Sequence, residues 1–195
     1  MVKSYSKTSS RTLQLTSSAI LTAVAILIPM VMPIKIVIGP ASYTLGSHIP
    51  IVMAMFLSPL VAFAVSIGST LGFLMAGFPI IIVFRALSHI LFASAGAMYL
   101  EKRQGVFSQG WKRQLFSFFI NLIHGLAEVV VVYFMTAFGQ QNLDANFMYT
   151  LFVLVGIGTI IHGMIDFELG YQFTRILSTR TSLHFDNFDR NQSFL

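Results

Sequence analysis

The chain has 195 residues, 55% hydrophobic and 10% charged, with 19 Phe, a mean hydropathy of +0.78 and a formal net charge of +5. A soluble domain of this length has too little interior for so much apolar surface, whereas a bilayer solvates it, so the composition is that of a membrane protein. The lack of cysteine excludes disulfides, thiolate catalysis and thiolate metal sites. The positive charges flank apolar runs and form no continuous basic face, which argues against a nucleic-acid partner.

Six apolar segments predict an all-α, polytopic protein with one membrane domain, 1–178, and a polar cytoplasmic tail, 179–195. The first segment, about 13–32, follows Lys3, Lys7 and Arg11 and ends at Met32-Pro33. It is long enough to span, and no small-residue cleavage site follows it cleanly, so it does not read as a signal peptide. Its Ala19 and Ala23 form a small-xxx-small pair, with Ser18 and Thr22 beside it. Such a pair suits either internal packing or a docking face for another membrane subunit. The loop from Met32 to Thr44 contains Ile34-Lys35-Ile36-Val37-Ile38, then Gly39-Pro40 and Tyr43. That is too apolar for an ordinary solvated loop, and it reads either as an interfacial hairpin or as a lid over an outward-facing pocket.

The second predicted helix, about 45–57, is short and contains Pro50. The third, about 60–76, opens after Pro59, which a first helical turn tolerates. Along it, Ala64, Gly68, Gly72 and Ala76 recur every four residues and make a stripe for close approach of another helix. The fourth, about 79–100, carries Arg85 six residues after Pro79, about 9 Å below its outer end. His89 is one turn deeper on the same face. Ionisable groups in hydrocarbon survive where they face a partner, a cavity or a ligand. Two readings of Arg85 stand side by side: an ion pair with Glu128, or a guanidinium fork that receives a ligand carboxylate.

The fifth predicted helix, about 114–138, places Asn121, His124 and Glu128 at i, i+3 and i+7, a polar seam on one face. Glu128 lies ten residues before Phe138, about 15 Å below the outer end. The sixth, about 147–175, carries His162 and Asp166 one turn apart, and Glu168, expected to pair with a cytoplasmic arginine. A His-xxx-Asp pair is half a metal site and no second His pair on that helix completes it, so neither a metal nor a cofactor is expected. There is no strained Gly-x-Ser-x-Gly elbow and no phosphate-binding G-x-x-x-x-G-K-[ST] loop, so no catalytic residue is assigned and ATP hydrolysis is not expected of this chain.

Orientation follows from Lys and Arg. With the N-terminus in the cytoplasm, ten basic residues lie inside (Lys3, Lys7, Arg11, Lys102, Arg103, Lys112, Arg113, Arg175, Arg180 and Arg190) and only Lys35 lies outside. The asymmetry predicts an even number of spans with both ends cytoplasmic. Trp111 falls at the cytoplasmic boundary, where aromatic anchors collect.

Over residues 10–178 the chain resembles the substrate-binding S components of energy-coupling factor (ECF) vitamin transporters. The resemblance rests on six spans in under 200 residues, Ala19-xxx-Ala23 on the first helix, a long first outer loop with Lys35 and Tyr43, and His162-Gly163-Met164-Ile165-Asp166 late in the last helix. It implies a multi-pass protein of the bacterial plasma membrane that binds a vitamin at its outer side under the first loop. The implied partners are a transmembrane T subunit and two cytoplasmic ATPases, against which the S component docks and topples to deliver its cargo. The implied docking face is Ala19 and Ala23, and the implied lid includes Lys35, Gly39 and Pro40.

The inferred site has one cation, Arg85, with the donors and acceptors of His89, Asn121, His124 and Glu128, and Tyr43, His48 and Phe84 as covers. That set favours a small anion with hydroxyl and amide groups, and the chain most resembles the pantothenate-specific S components. Niacin is an alternative that needs a carboxylate clamp and an aromatic stack. Hydroxymethylpyrimidine would use Glu128, and folate would need a larger cavity. A stand-alone proton-coupled carrier, using His124–Glu128 or His162–Asp166, is the alternative of another class. The lack of an internal repeat between residues 1–100 and 101–195 speaks against it.

Overall fold

The computed structural model describes residues 7–137, 144–181 and 183–192, with side chains from Thr12 onward apart from residue 13. Lys3 and residues 138–143 of the last predicted outer loop lie outside the described residues, as do the side chains of Lys7 and Arg11. The first helix, α1 (Lys7–Val31), leads into a two-stranded antiparallel hairpin, β1 (Lys35–Ile38) and β2 (Ala41–Thr44). Then come α2 (Ile49–Leu57), α3 (Pro59–Met75), α4 (Ile80–Lys102) and α5 (Gly110–Ala137). The last membrane helix is continuous: α6 (Ala145–Tyr149) passes through a π-helical stretch (Thr150–Ile157) into α7 (Gly158–Arg180). A short α8 (Asp186–Gln192) closes the described chain.

Among the described residues, four helices are long and apolar enough to cross a membrane: Gln14–Val31, Ile80–Lys102, Gly110–Ala137 and Ala145–Arg180. The shorter Pro59–Met75 is also apolar. The second predicted helix is corrected. Residues 45–48 are a turn, and the nine residues of α2 reach only about 14 Å. All of Pro50 to Leu57 are buried, so α2 is apolar all round because it lies at the centre of the bundle, against α1, α3, α4 and α7.

The stripe on α3 is where α1 docks. A Cβ at Gly68 would collide with the Thr22 side chain, and one at Gly72 would lie 2.5 Å from the Ile26 carbonyl oxygen. Only glycine lets the two backbones come this close. Ala19 and Ala23 face the other way and are exposed, so the pair is not internal packing.

The hairpin has the register Lys35↔Thr44, Ile36↔Tyr43, Val37↔Ser42 and Ile38↔Ala41. Its two-residue turn is Gly39-Pro40, with Gly39 at φ +56°, the left-handed conformation a tight hairpin turn requires at its first position. β1 is exposed along its length, whereas Ala41 and Thr44 of β2 are buried. The hairpin therefore covers the bundle with β2 and leaves Ile36, Val37 and Ile38 outward.

The tail is not a detached polar extension. Phe185 and Phe188 join the main core, Phe188 meeting the rings of Phe56, Phe107 and Tyr171. Asn187 Nδ2 donates to the carbonyls of Met55 and Ala97, and Asn191 Nδ2 to that of Leu100. Met55 and Leu100 lie in the last turns of α2 and α4, where carbonyls lack an intrahelical partner. Nearby, Arg113 Nε and Nη2 grip Glu168 at 3.1 and 3.2 Å, so Glu168 pairs with an arginine as expected.

Candidate functional site

The pocket lies beneath the hairpin, where four helical faces converge. Arg85 and His89 descend α4, and His124 and Glu128 share the inner face of α5. Thr159, His162 and Asp166 line α7, and His48 caps the start of α2. Arg85, His89, His124 and Glu128 are each 3% exposed or less. They enclose a cavity of about 20 Å³, also lined by Ser42, Phe73 and Ile82. That is room for about one water molecule.

Arg85 is held at both nitrogens of its fork. Nη2 donates to Glu128 Oε2 at 2.6 Å and to Thr159 Oγ1 at 3.3 Å. Nη1 donates to the Pro40 carbonyl at 2.5 Å and to Ser42 Oγ at 3.3 Å. Thr159 in turn donates to Glu128 Oε2 at 2.5 Å. The guanidinium thus ties the hairpin turn to α5 and α7. Of the two readings of Arg85, the ion pair with Glu128 is the one seen here, and Arg85 also lines the cavity. A buried pair of this kind survives only because each charge is compensated by the other and by further hydrogen bonds.

Deeper in the pocket, four of the chain's five histidines come together. The His48 ring lies 4.7 Å from those of His89 and His124 and 5.1 Å from that of His162, centre to centre. His124 Nε2 is 3.3 Å from Glu128 Oε1. His89 Nε2 is 3.4 Å from the same oxygen. On the other side, His48 Nδ1 is 3.0 Å from Asp166 Oδ2. Asp166 also accepts the backbone N–H groups of Gly46 at 2.9 Å and His48 at 3.1 Å. These contacts explain how non-helical backbone is tolerated next to α2. His48 lies level with His89, nine residues into α4 and so about 14 Å from its start, and in hydrocarbon such N–H groups need an acceptor supplied by protein.

Tyr43 reaches from β2 to the π-helical stretch, where its hydroxyl donates to the Leu154 carbonyl. A wider helical turn leaves carbonyls available to such a partner. Gly158 lies directly under the phenol, and a Cβ there would collide with it. The Tyr43 ring also meets His162 at 5.7 Å. Lys35 lies outside the pocket with Nζ 5.3 Å from the centre of the Phe78 ring, which anchors β1 to the α3–α4 turn.

Most sequence-predicted residues converge, and two do not. Phe84 is 44% exposed on the outer side of α4, on the same face as Leu87 and Leu91, so it is no cover for the site. Asn121 is buried but sits one turn below His124, donates to the Ser117 carbonyl at 2.9 Å and packs on Gly163, away from the cavity. The site also includes residues not predicted for it: Ser42, Phe73, Thr159, His162 and Asp166. A signal for three of them was present, since Thr159, His162 and Asp166 repeat the i, i+3, i+7 spacing of Asn121, His124 and Glu128.

The sequence profile of a family described as ECF-type riboflavin transporter, S component, matches residues 9–178. The chain is also 38% identical over 179 residues to the niacin transporter NiaX of Lactococcus lactis subsp. cremoris (strain MG1363), covering 91% of this chain and 79% of that protein. No solved structure matches. Neither comparison supports the expectation of pantothenate, and the relative's name falls on the alternative, niacin.

Proposed function

The chain belongs to the ECF-type riboflavin transporter S-component family, and from that premise we propose that it binds niacin at the outer side of the membrane and delivers it through an ECF module. It is a multi-pass membrane protein and a transporter component, not an enzyme. The observation that carries the choice of niacin is the position of Arg85, a buried carboxylate-binding fork beside a wall of aromatic rings. A pyridine carboxylate needs both: the fork for its anion, and flat faces with N–H groups for its ring and ring nitrogen. Pantothenate would use the fork but has no ring for His48, His89, His124 and His162 to face. Riboflavin, the vitamin in the family's description, has no carboxylate for Arg85.

On this reading the hairpin is the lid, with Lys35, Gly39 and Pro40 at its outer edge and Tyr43 as its latch. The chain crosses the membrane six times with both ends cytoplasmic. The second crossing is made jointly by β2, the 45–48 turn and α2. Ala19 and Ala23, exposed on α1, dock against a T subunit, and two cytoplasmic ATPases hydrolyse ATP.

The test is mass spectrometry of small molecules that co-purify with the protein, followed by thermal shift with niacin, nicotinamide, pantothenate and riboflavin. Niacin is expected in the preparation, and only niacin is expected to raise Tm strongly. A shift with pantothenate or riboflavin and none with niacin overturns the assignment.

A further inference from the structure

The histidine cluster is under-satisfied as an organic hydrogen-bond network. His48 has Nδ1 committed to Asp166, which leaves Nε2 as its free lone pair, and that atom faces His89 Nε2 at 3.4 Å. If His89 carries its proton on Nδ1, two lone pairs oppose each other. If it carries the proton on Nε2, it can donate to His48 Nε2 or to Glu128 Oε1, each at 3.4 Å, and its Nδ1 lone pair is left over. In either tautomer His89 Nδ1 has no hydrogen-bond partner among the described residues. His124 is in the same position at both nitrogens, since its approach to Glu128 is close but lacks hydrogen-bond geometry. Buried polar atoms are rarely left unpaired, and each such atom asks for an explanation.

We infer that His48, His89 and His124 form a binding site for a divalent transition-metal ion of the zinc class. One ring nitrogen of each lies within 4.8 Å of the others. Nitrogens around a tetrahedral zinc, with bonds of about 2.0–2.1 Å, stand about 3.3 Å apart. The His48–His89 edge, at 3.4 Å, already has nearly that length, and His124 offers a nitrogen within 4.8 Å of both. The arrangement Asp166–His48–metal supplies the carboxylate that fixes the tautomer of a ligating imidazole and raises its basicity. Glu128 Oε1, 3.3 Å from His124 Nε2 and 3.4 Å from His89 Nε2, stands at the same spacing and is placed to serve as a fourth ligand.

Charge favours the same ion. With neutral imidazoles the pocket holds one cation, Arg85, and two anions, Glu128 and Asp166, a surplus of one negative charge. A dication is attracted to that surplus, and the resulting positive charge favours an anionic ligand beside it. The neighbouring group, His48 with His162 and Asp166, is the weaker candidate. Both Asp166 oxygens there already accept hydrogen bonds from Gly46 and His48. The inference rests on the convergence of three imidazoles and does not depend on which vitamin the protein carries.

The test uses the full chain in detergent, carrying no histidine tag, stripped with a chelator and titrated with Zn²⁺ alone. One site per chain is expected, with three imidazole ligands by X-ray absorption at the zinc edge and the intense visible bands of a four-coordinate ion when Co²⁺ replaces Zn²⁺. His89→Gln and His124→Gln should each weaken Zn²⁺ binding at least tenfold, while His184→Gln, outside the cluster, should not. Size-exclusion profile and Tm of each variant separate lost ligation from lost folding. The absorption spectrum of the unaltered protein needs no variant at all. Absence of Zn²⁺ binding, six-coordinate oxygen-rich ligation, or binding indifferent to His89 and His124 in folded variants overturns the site. Niacin binding, measured separately on the same metal-free and metal-loaded samples, decides the vitamin assignment without altering this outcome.

Discussion

Arg85 Nη2 and Glu128 Oε2 stand 2.6 Å apart between α4 and α5, both side chains buried. The other arm of the same guanidinium holds the Pro40 carbonyl of the hairpin turn. One cation therefore ties the hairpin turn to α5. A ligand carboxylate has to displace one of these partners, and the cavity of about 20 Å³ admits no vitamin until the hairpin moves. On the proposed function, ligand recognition and hairpin movement would be coupled through Arg85.

Removing Glu128 separates its two roles. Glu128→Gln leaves Arg85 without its counter-charge, at a cost of about 3–5 kcal/mol to the ligand-free fold. An anionic ligand then faces only neutral competitors for Nη2, the Gln oxygen and Thr159 Oγ1. The ligand-free Tm is expected to fall, and the Tm rise at saturating niacin to exceed that of the unaltered protein. A smaller rise, read by thermal shift, would show that Glu128 contacts the ligand favourably.

Tyr43 is expected to govern lid lifetime. Tyr43→Phe keeps the ring against His162 and removes the hydrogen bond to the Leu154 carbonyl, a loss of about 0.5–1.5 kcal/mol. Stopped-flow measurement should find faster ligand release, by about three- to tenfold. Unchanged release would remove Tyr43 as the latch.

Docking and binding separate on α1. Ala19→Leu and Ala23→Leu enlarge exposed side chains on the face opposite α3. Vitamin binding by the isolated chain should be unchanged, and ATP-driven uptake by the assembled transporter should be lost. Undiminished uptake, or uptake lost only together with binding, would contradict a docking role for the pair.

The α1–α3 contact should tolerate no added methyl group. In Gly72→Ala the new Cβ meets backbone atoms of Ile26, which no side-chain adjustment relieves. A cost of about 1–3 kcal/mol and a lower Tm are expected. Gly110→Ala, whose Cβ would have open space, is the control.

The outline of this fold is written in its hydropathy, because a long apolar helix needs only local pattern to be recognised. The α3 stripe and the Glu168 pairing could be read the same way. The hairpin could be placed but not paired, since Ile34 to Ile38 suits either a strand or an interfacial segment. α2 was misjudged at its start because Asp166, 118 residues away, supplies the acceptors that let residues 45–48 stay non-helical. The tail hid its role in two phenylalanines and two asparagines, whose partners lie on α2, α4 and α7. Arg85, His89, His124 and Glu128 were legible as charges in hydrocarbon, whereas helical phase alone did not separate Asn121 from the cavity. Phe84 shows the reverse error, an aromatic neighbour of Arg85 that helical geometry turns outward by about 100°. The grouping of His48, His89 and His124 left no signal because it joins the turn before α2 to α4 and α5, so no spacing records it.

The central claim is that Arg85 reads a carboxylate. The direct measurement is calorimetric titration of the purified protein and of Arg85→Ala with niacin and with its uncharged amide, nicotinamide. The unaltered protein should prefer niacin by at least a hundredfold, as a charge-assisted bidentate contact of about 3 kcal/mol requires. Arg85→Ala, still folded by size exclusion, should lose that preference. Equal affinities in the unaltered protein, or an undiminished preference in the variant, would contradict the account.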